Sequence, residues 1–298
     1  MSETFAALIL THRRPDRVFT LSTLRAAGYT GRVVLVVDDA DPTLDAYRSR
    51  FETEPGVEVA TFSKADVGRR IDAGDNSGDT RGILWARNAS FDVAASLGLD
   101  AFVQLDDDYT SWYYRFNEAR EYGGWQIRNL DNLFGWLVDY LRATPFASVA
   151  LSQGGDHIGG GGTQRTIRTK RKAMNSFVCL TARRFEFVGR INEDVNAYTA
   201  GQRAGTLFLT VLAAQLNQVQ TQAGAGGMTD LYLDSGTYVK SFFSVMYAPS
   251  AVIVSPMGGH RRTLDGQASR VAPRLHHRVE WNAVAPKILP ETFRKPRA

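Results

Sequence analysis

Three aspartates stand in a row, Asp106, Asp107 and Asp108, between the apolar residues 101–105 and the aromatic residues 112–114. Adjacent carboxylates repel one another. On an extended segment residues i and i+2 point to the same side, so Asp106 and Asp108 would share one face. A hard divalent cation, its shell completed by phosphate oxygens, relieves the repulsion. The plain alternative is a solvated acidic turn or a helix N-cap, and an Asp-x-Asp alone does not choose between them. The choice rests on where the triplet sits, which the surrounding elements determine.

Those elements alternate. FAALILT (residues 5–11) reads as a buried strand. RRPDRVFTLSTLRAAGY follows, with Val18, Leu21 and Leu24 at helical spacing and Gly28 as a stop. GRVVLVVDD is a second strand, TLDAYRSRF a helix and VEVATFS a third strand. GDNSGDTRG is a loop, ILWARNASFDVAASLG a helix ended by Gly98, and AFVQLDDD a fourth strand. Strands alternating with helices predict a parallel, doubly wound α/β sheet. Ligands in such sheets bind beyond the carboxyl ends of the strands, where the triplet lies.

Further along, a helix fits residues 127–142, with Ile127, Leu130, Phe134, Leu137 and Leu141 on one face. FASVALS is another strand, SFVCLTARRFEFVG has strand character, and residues 216–222 alternate. GTYVKSFFSVMYAPS reads as a helix and AVIVSP as a late strand. Without repeats or linkers, the chain reads as one domain over residues 1–259, with a basic extension over 260–298 packing on it. Residues 1 to about 110 would form one half of that domain and residues from about 111 to 259 the other.

Composition sets outer limits. The 298 residues are 44% hydrophobic and 22% charged, as in globular proteins. One cysteine, Cys179, excludes an intramolecular disulfide and fits a reducing compartment. No apolar run is long enough for a membrane helix, and the N-terminus lacks a basic signal-peptide region, so a cytoplasmic location with no membrane partner is expected. The net charge of +4 is unevenly spread. Residues 163–190 hold eight Lys or Arg against one acid, and residues 260–298 hold nine against three. These runs are either solvated surface or an electropositive face for a polyanion such as DNA. The glycine-rich stretch 154–162, followed by Arg165, Arg168, Lys170, Arg171 and Lys172, cannot pack a core and reads as a functional loop.

The order of these pieces resembles a GT-A-type glycosyltransferase. The similar stretches are ILTHRRPDRVFTLSTLRAAGY, VVLVVDDAD, GDTRGILWARNAS, LDDD and GRINEDVNAY. The segments KAMNSFVCLTARRFEFVGRINEDVNAYTAGQRAGTLFLT, YVKSFFSVMYAPS and RLHHRVEWNAVAPKIL resemble, more narrowly, the phage TET-associated glycosyltransferases, which are thought to act on 5-hydroxymethylcytosine in DNA. The resemblance implies a Rossmann-related, mostly parallel twisted sheet with helices on both faces. It also implies a nucleotide-sugar donor, typically a UDP-sugar, and Mn²⁺ or Mg²⁺.

It further implies roles. Asp106 and Asp108 would hold the metal, with His260 as a third ligand and His276 and His277 competing for that place. Asp107 would touch the ribose, and which of the three aspartates ligates the ion stays open. Thr11, Arg13, Asp38, Asp39, Arg81, Arg87 and Asn88 would face the donor. Asp194, or alternatively Glu193, would be the base in an inverting transfer; the plain alternative is an acidic helix start complementing its dipole. Arg165, Arg168, Lys170, Arg171 and Lys172 would contact DNA phosphates. Trp112 would stack on a base or sugar, unless it is simply core. Competing functions are a glycan or small-molecule acceptor, a sugar nucleotidyltransferase and a non-catalytic DNA-binding module. The segment THRRPDR lacks the glycine-rich loop expected of a nucleotidyltransferase.

Overall fold

Every residue of Phe5–Leu10 is buried, and successive side chains enter different cores. Phe5, Ala7 and Ile9 pack with Leu21, Leu24, Phe134 and Leu137. Ala6, Leu8 and Leu10 pack with Leu84, Phe91, Phe177 and Phe208. A strand that is apolar at every position belongs in a sheet covered on both faces. The computed structural model describes residues 4–76, 78–157, 171–219, 229–257, 260–262, 268–270 and 274–284.

In chain order the elements are β1 (Phe5–Leu10), α1 (Phe19–Ala26), β2 (Arg32–Asp38), α2 (Leu44–Phe51), β3 (Val57–Phe62), α3 (Lys64–Gly68), α4 (Leu84–Ser96) and β4 (Ala101–Asp106). Next come β5 (Tyr109–Phe116), β6 (Tyr122–Gln126), α5 (Leu130–Ala143), β7 (Phe146–Ser152), β8 (Ser176–Leu180), α6 (Glu193–Arg203) and β9 (Leu207–Gln218). The last are α7 (Thr229–Tyr247), β10 (Val252–Met257), β11 (His260–Arg262), β12 (Ala268–Arg270), β13 (Arg274–Val279) and α8 (Trp281–Val284).

The main sheet has the order β3-β2-β1-β4-β8-β7-β9-β5-β6. Within it β8 and β5 run against the other strands, so the sheet is mostly parallel, as the alternation of elements predicts. Helices α1, α2 and α5 cover one face, and α4 and α6 the other. Strand β9 does two jobs. Its first half pairs β7, the register jumps between Leu151↔Val211 and Ser152↔Gln215, and its second half pairs β5. This jump carries the sheet round to β5, which starts directly after the aspartate triplet. No helix among the described residues is long and apolar enough to cross a membrane.

Several elements differ from the sequence-based expectation. The alternating residues 216–222 overlap only the end of β9, whose body starts at Leu207. The β5–β6 hairpin was not expected: β6 reads YGGWQ, and its paired glycines hide any alternation. Helix α5 starts at Leu130, so Ile127 is buried outside it. Strand β13, RLHHRV, lacks an apolar pattern and forms by antiparallel pairing with β10, from Val252↔Val279 to Met257↔Arg274. That pairing joins residues on the two sides of the expected 259/260 division.

Gly28 and Gly98, the two expected helix stops, both have positive φ, +82° and +68°. A Cβ on Gly28 would lie 2.1 Å from the Arg128 carbonyl oxygen, whereas one on Gly98 would meet nothing within 4 Å. Gly98→Ala should therefore cost about 1 kcal/mol of conformational strain. Gly28→Ala should cost more, up to roughly 3 kcal/mol, because the backbone of 128 must move. Urea unfolding of both variants checks the ranking; equal losses would mean the Arg128 backbone yields freely.

Candidate active site

The triplet occupies the turn between β4 and β5, beside the end of β1, where Leu10 is in register with Asp106. Thr20, buried at the start of α1, fastens this turn. Its hydroxyl donates to the Asp106 carbonyl at 2.6 Å and accepts from the Tyr109 N–H at 3.0 Å. The Thr20 N–H donates to the Asp107 carbonyl at 3.1 Å, and the Val219 N–H, just past β9, donates to the Asp108 carbonyl at 3.0 Å. Thr20 was not singled out from the sequence. Nothing in a lone threonine before a helical run signals a contact 86 residues away.

The three carboxylates have different partners. Asp107 is buried; its Oδ2 accepts from Thr11 Oγ1 at 2.7 Å and lies 3.5 Å from Arg14 Nε. Asp106 pairs with Arg87, its Oδ1 lying 3.1 Å from Nη2. Asp108 Oδ1 is buried without a hydrogen-bond partner among the described residues. Burial pushes the Asp106 carboxyl up to about 7 against the pull of Arg87, with Asp108 and Glu193 adding to the rise. Burial likewise lifts Asp107 to about 6, against Arg14 and the Thr11 hydrogen bond. Asp108 is raised by burial, with Arg14 opposing.

Arg87 was expected to face a donor. It is instead only 1% exposed, inside α4. Its Nε donates to Glu193 Oε1 at 2.9 Å, so one guanidinium joins the triplet to the acidic pair that begins α6. Burial works against its charge, but Asp106 and Glu193 hold it more firmly protonated than usual. Glu193 is raised by burial and then by Asp194, with Arg87 opposing. Asp194 accepts the Val195 N–H at 2.7 Å through Oδ1. The preceding Asn192, left-handed at φ 57°, donates to the Lys240 carbonyl of α7 and sits 3.4 Å from His277 of β13. Asn88 is a strut: it donates to the carbonyls of Leu84 and Phe187 and accepts the Phe187 N–H.

The other expected donor residues are spread along the strand ends. Thr11 also contacts the Tyr47 hydroxyl at 2.7 Å. Arg13 is left-handed at φ 55°, its N–H held by Asp41. Asp38 is buried and pairs with Lys64 at 3.1 Å, while Asp39 is exposed. The buried hub of this turn is Asp41, which takes the Thr43 N–H and hydroxyl and lies 2.7 Å from the His12 ring; nothing in the sequence sets it apart from the neighbouring aspartates. Arg81 is exposed and pairs with Asp79.

Trp112 is not available for stacking. It is 2% exposed and packs edge-on against Tyr109 and Phe134, because β5 turns it into the core under α5. Lys172 is exposed, and Arg171 lies 4.0 Å from Asp156. Arg165, Arg168 and Lys170 fall outside the described residues. His260 lies on β11, but its side chain falls outside them too.

The sequence model of the TET-associated glycosyltransferase family matches residues 5–227. The chain belongs to this family. The match runs from β1 past β9 and takes in the triplet, Arg87 and the acidic pair, but not His260. Similar solved structures include S. aureus TarS residues 1–349 in complex with UDP, at 10% identity and TM-score 0.44, over 82% of this chain and 65% of that one. Another is GalNAc-T7 with UDP, GalNAc and Mn²⁺, at 12% identity and TM-score 0.43, over 72% of this chain and 43% of that one. The chain thus spans less than two thirds of the length of either, and at these values the likeness assigns no residue. No curated protein sequence matches the chain.

A second tie joins the segment before α4 to the segment before α6. Arg190 pairs with Asp75 at 2.8 Å and Asp79 at 3.0 Å, and the N–H groups of Gly189 and Arg190 donate to the carbonyls of Asp72 and Ala73. Hydrogen bonds from Arg81, with Arg190 adding its charge, hold the Asp79 carboxyl down at about 2 despite burial. A depressed carboxylate stabilises the fold fully above its unfolded value near 4, and the gain is lost as pH falls towards 2. Asp79→Asn should therefore lower stability by up to about 2 kcal/mol at pH 6 and by progressively less below pH 4. Denaturant titrations across this range check it; a difference independent of pH would show that the charge is not the source.

Proposed function

We propose that the chain transfers a hexose or N-acetylhexosamine from a UDP-sugar to the hydroxyl of 5-hydroxymethylcytosine in DNA, as a GT-A-type, metal-dependent, inverting enzyme. The family match over residues 5–227 carries this reading. Its chemical support is a strand-end triplet and an acidic pair brought together by one guanidinium.

The residues present fit a divalent cation. Asp108 Oδ1 is a carboxylate oxygen buried without a partner among the described residues, and two further aspartates precede it in the chain. Among the described residues no three His, Cys, Asp or Glu side chains gather as a metal cage. Mg²⁺ is commonly held by one or two carboxylates, with substrate phosphates and water completing the shell. Asp106 and Asp108 would hold Mn²⁺ or Mg²⁺, with His260 as a further ligand. The ion would stabilise the charge growing on the departing diphosphate.

The chain's own groups then divide the work. Thr11, Arg13 and Asp38 line the nucleotide from the ends of β1 and β2, and Asp107 meets the ribose. Asp194 accepts the proton of the acceptor hydroxyl as that oxygen bonds to the anomeric carbon and the bond to the diphosphate breaks. Lys172 and Arg171, together with Arg165, Arg168 and Lys170, contact the DNA phosphates. The modified cytosine is met in the major groove or flipped from the stack.

The test is nucleoside mass spectrometry after incubation with Mn²⁺, nucleotide sugars and duplex DNA with or without 5-hydroxymethylcytosine. A hexose or N-acetylhexosamine gain on the modified cytosine is expected. Asp108→Ala should abolish it, and Asp194→Asn should lower the rate by roughly 10²–10⁴. Donor hydrolysis without transfer to DNA would discard this acceptor, and no turnover of any donor would discard the activity. Neutralising Lys172 and Arg168 together should flatten the salt dependence of DNA binding by about two phosphate contacts; an unchanged slope would remove these residues from the DNA interface.

A further inference from the structure

Arg87 is almost wholly shut off from solvent. Its guanidinium lies 5.2 Å and 5.7 Å from the ring centroids of Phe177 and Phe187 and makes its charged contacts with Asp106 and Glu193. Removing a guanidinium from water carries a penalty of several kcal/mol, which good geometry and paired charges must offset. One carboxylate would balance the charge. The protein uses two, from the end of β4 and the start of α6, elements far apart in sequence.

On the glycosyltransferase reading, we propose that Arg87 is a positioning residue that sets the span between the donor-side triplet and the acceptor-side base. Its fork occupies Asp106 Oδ1 and Glu193 Oε1. The second oxygen of Asp106 and the carboxylate of Asp108, whose Oδ1 has no partner among the described residues, are left to face the donor's diphosphate and cation. Asp194 is left to face the acceptor; among the described residues its hydrogen-bond donor is the backbone N–H of Val195. Glu193 is thereby a counter-ion rather than the base. A planar guanidinium fixes both the distance and the direction of two carboxylates. An ammonium supplies the charge without the fork, so lysine should neutralise the site without holding its geometry.

The full chain is compared with Arg87→Lys and Glu193→Gln. Binding of Mn²⁺ with UDP is measured by calorimetry, and kcat and donor KM by transfer to hydroxymethylated DNA. Arg87→Lys should bind Mn²⁺ and UDP within about threefold of wild type and keep donor KM, while kcat falls roughly 10- to 100-fold, as misplaced reacting groups do. Glu193→Gln should lower kcat by about tenfold, and it decides the matter if Arg87→Lys does not fold. A loss of about 10³ or more in Glu193→Gln would make Glu193 the base and overturn the assignment. Weakened UDP binding in Arg87→Lys would make Arg87 a donor ligand. An unchanged kcat per folded molecule with lower thermal stability would leave it a purely structural ion. Either result overturns the inference alone. Wild-type protein that neither binds Mn²⁺ with UDP nor turns over a UDP-sugar overturns the glycosyltransferase reading as well.

Discussion

Asp106, Asp107, Asp108, Glu193 and Asp194 bring several negative charges into a space largely closed to water, and like charges at low dielectric are costly. The protein compensates with cations set at different depths. Arg87 lies under the site between Asp106 and Glu193, and Arg14 lies at its rim beside Asp107. The compensation is incomplete: burial still raises Asp106, Asp107 and Asp108 above ordinary aspartates. On the proposed reading, the donor's cation would supply the positive charge that the cluster lacks.

The backbone is arranged around the same requirement. The triplet turns tightly between β4 and β5, two strands that are not neighbours in the sheet. That is feasible because β9 changes partner midway, from β7 to β5, and brings the sheet round to the end of β4. Thr20 and the Val219 N–H then satisfy the polar groups of the turn, which would otherwise be buried unpaired. α1, β9 and the triplet are thus one construction, and a disturbance in any of them reaches the carboxylates.

The start of α6 is braced from the C-terminal region. Asn192 links the start of α6 to α7 and β13, and Tyr198 of α6 stacks on Trp281 at 5.7 Å. Lys172 lies close enough to His276 and His277 to lower their basicity further, after burial has done most of that work. The two histidines are thus held neutral, and the positive charge near this helix is that of Lys172 and Lys240, where a DNA backbone would pass on the proposed reading.

How much of this was legible in the sequence follows from the range of each interaction. Alternating apolar strands and helices, glycine stops and the triplet at a strand end are local patterns, and they sufficed for the α/β class, the mostly parallel sheet and the family resemblance. The β5–β6 hairpin and β13 were hidden because their strands are made by pairing partners rather than by their own apolar periodicity. Trp112 looked like a stacking surface because its burial depends on α5, which follows it in the chain. Arg87 looked like a donor ligand because an arginine near a helix start carries no mark of what it will meet. Its partners lie at positions 106 and 193, and only the packing of α4 and α6 on one face of the sheet brings their carboxylates within hydrogen-bond reach. The sequence by itself determined which charges the protein owns; the tertiary structure decided which of them meet away from water, where pairing governs their chemistry.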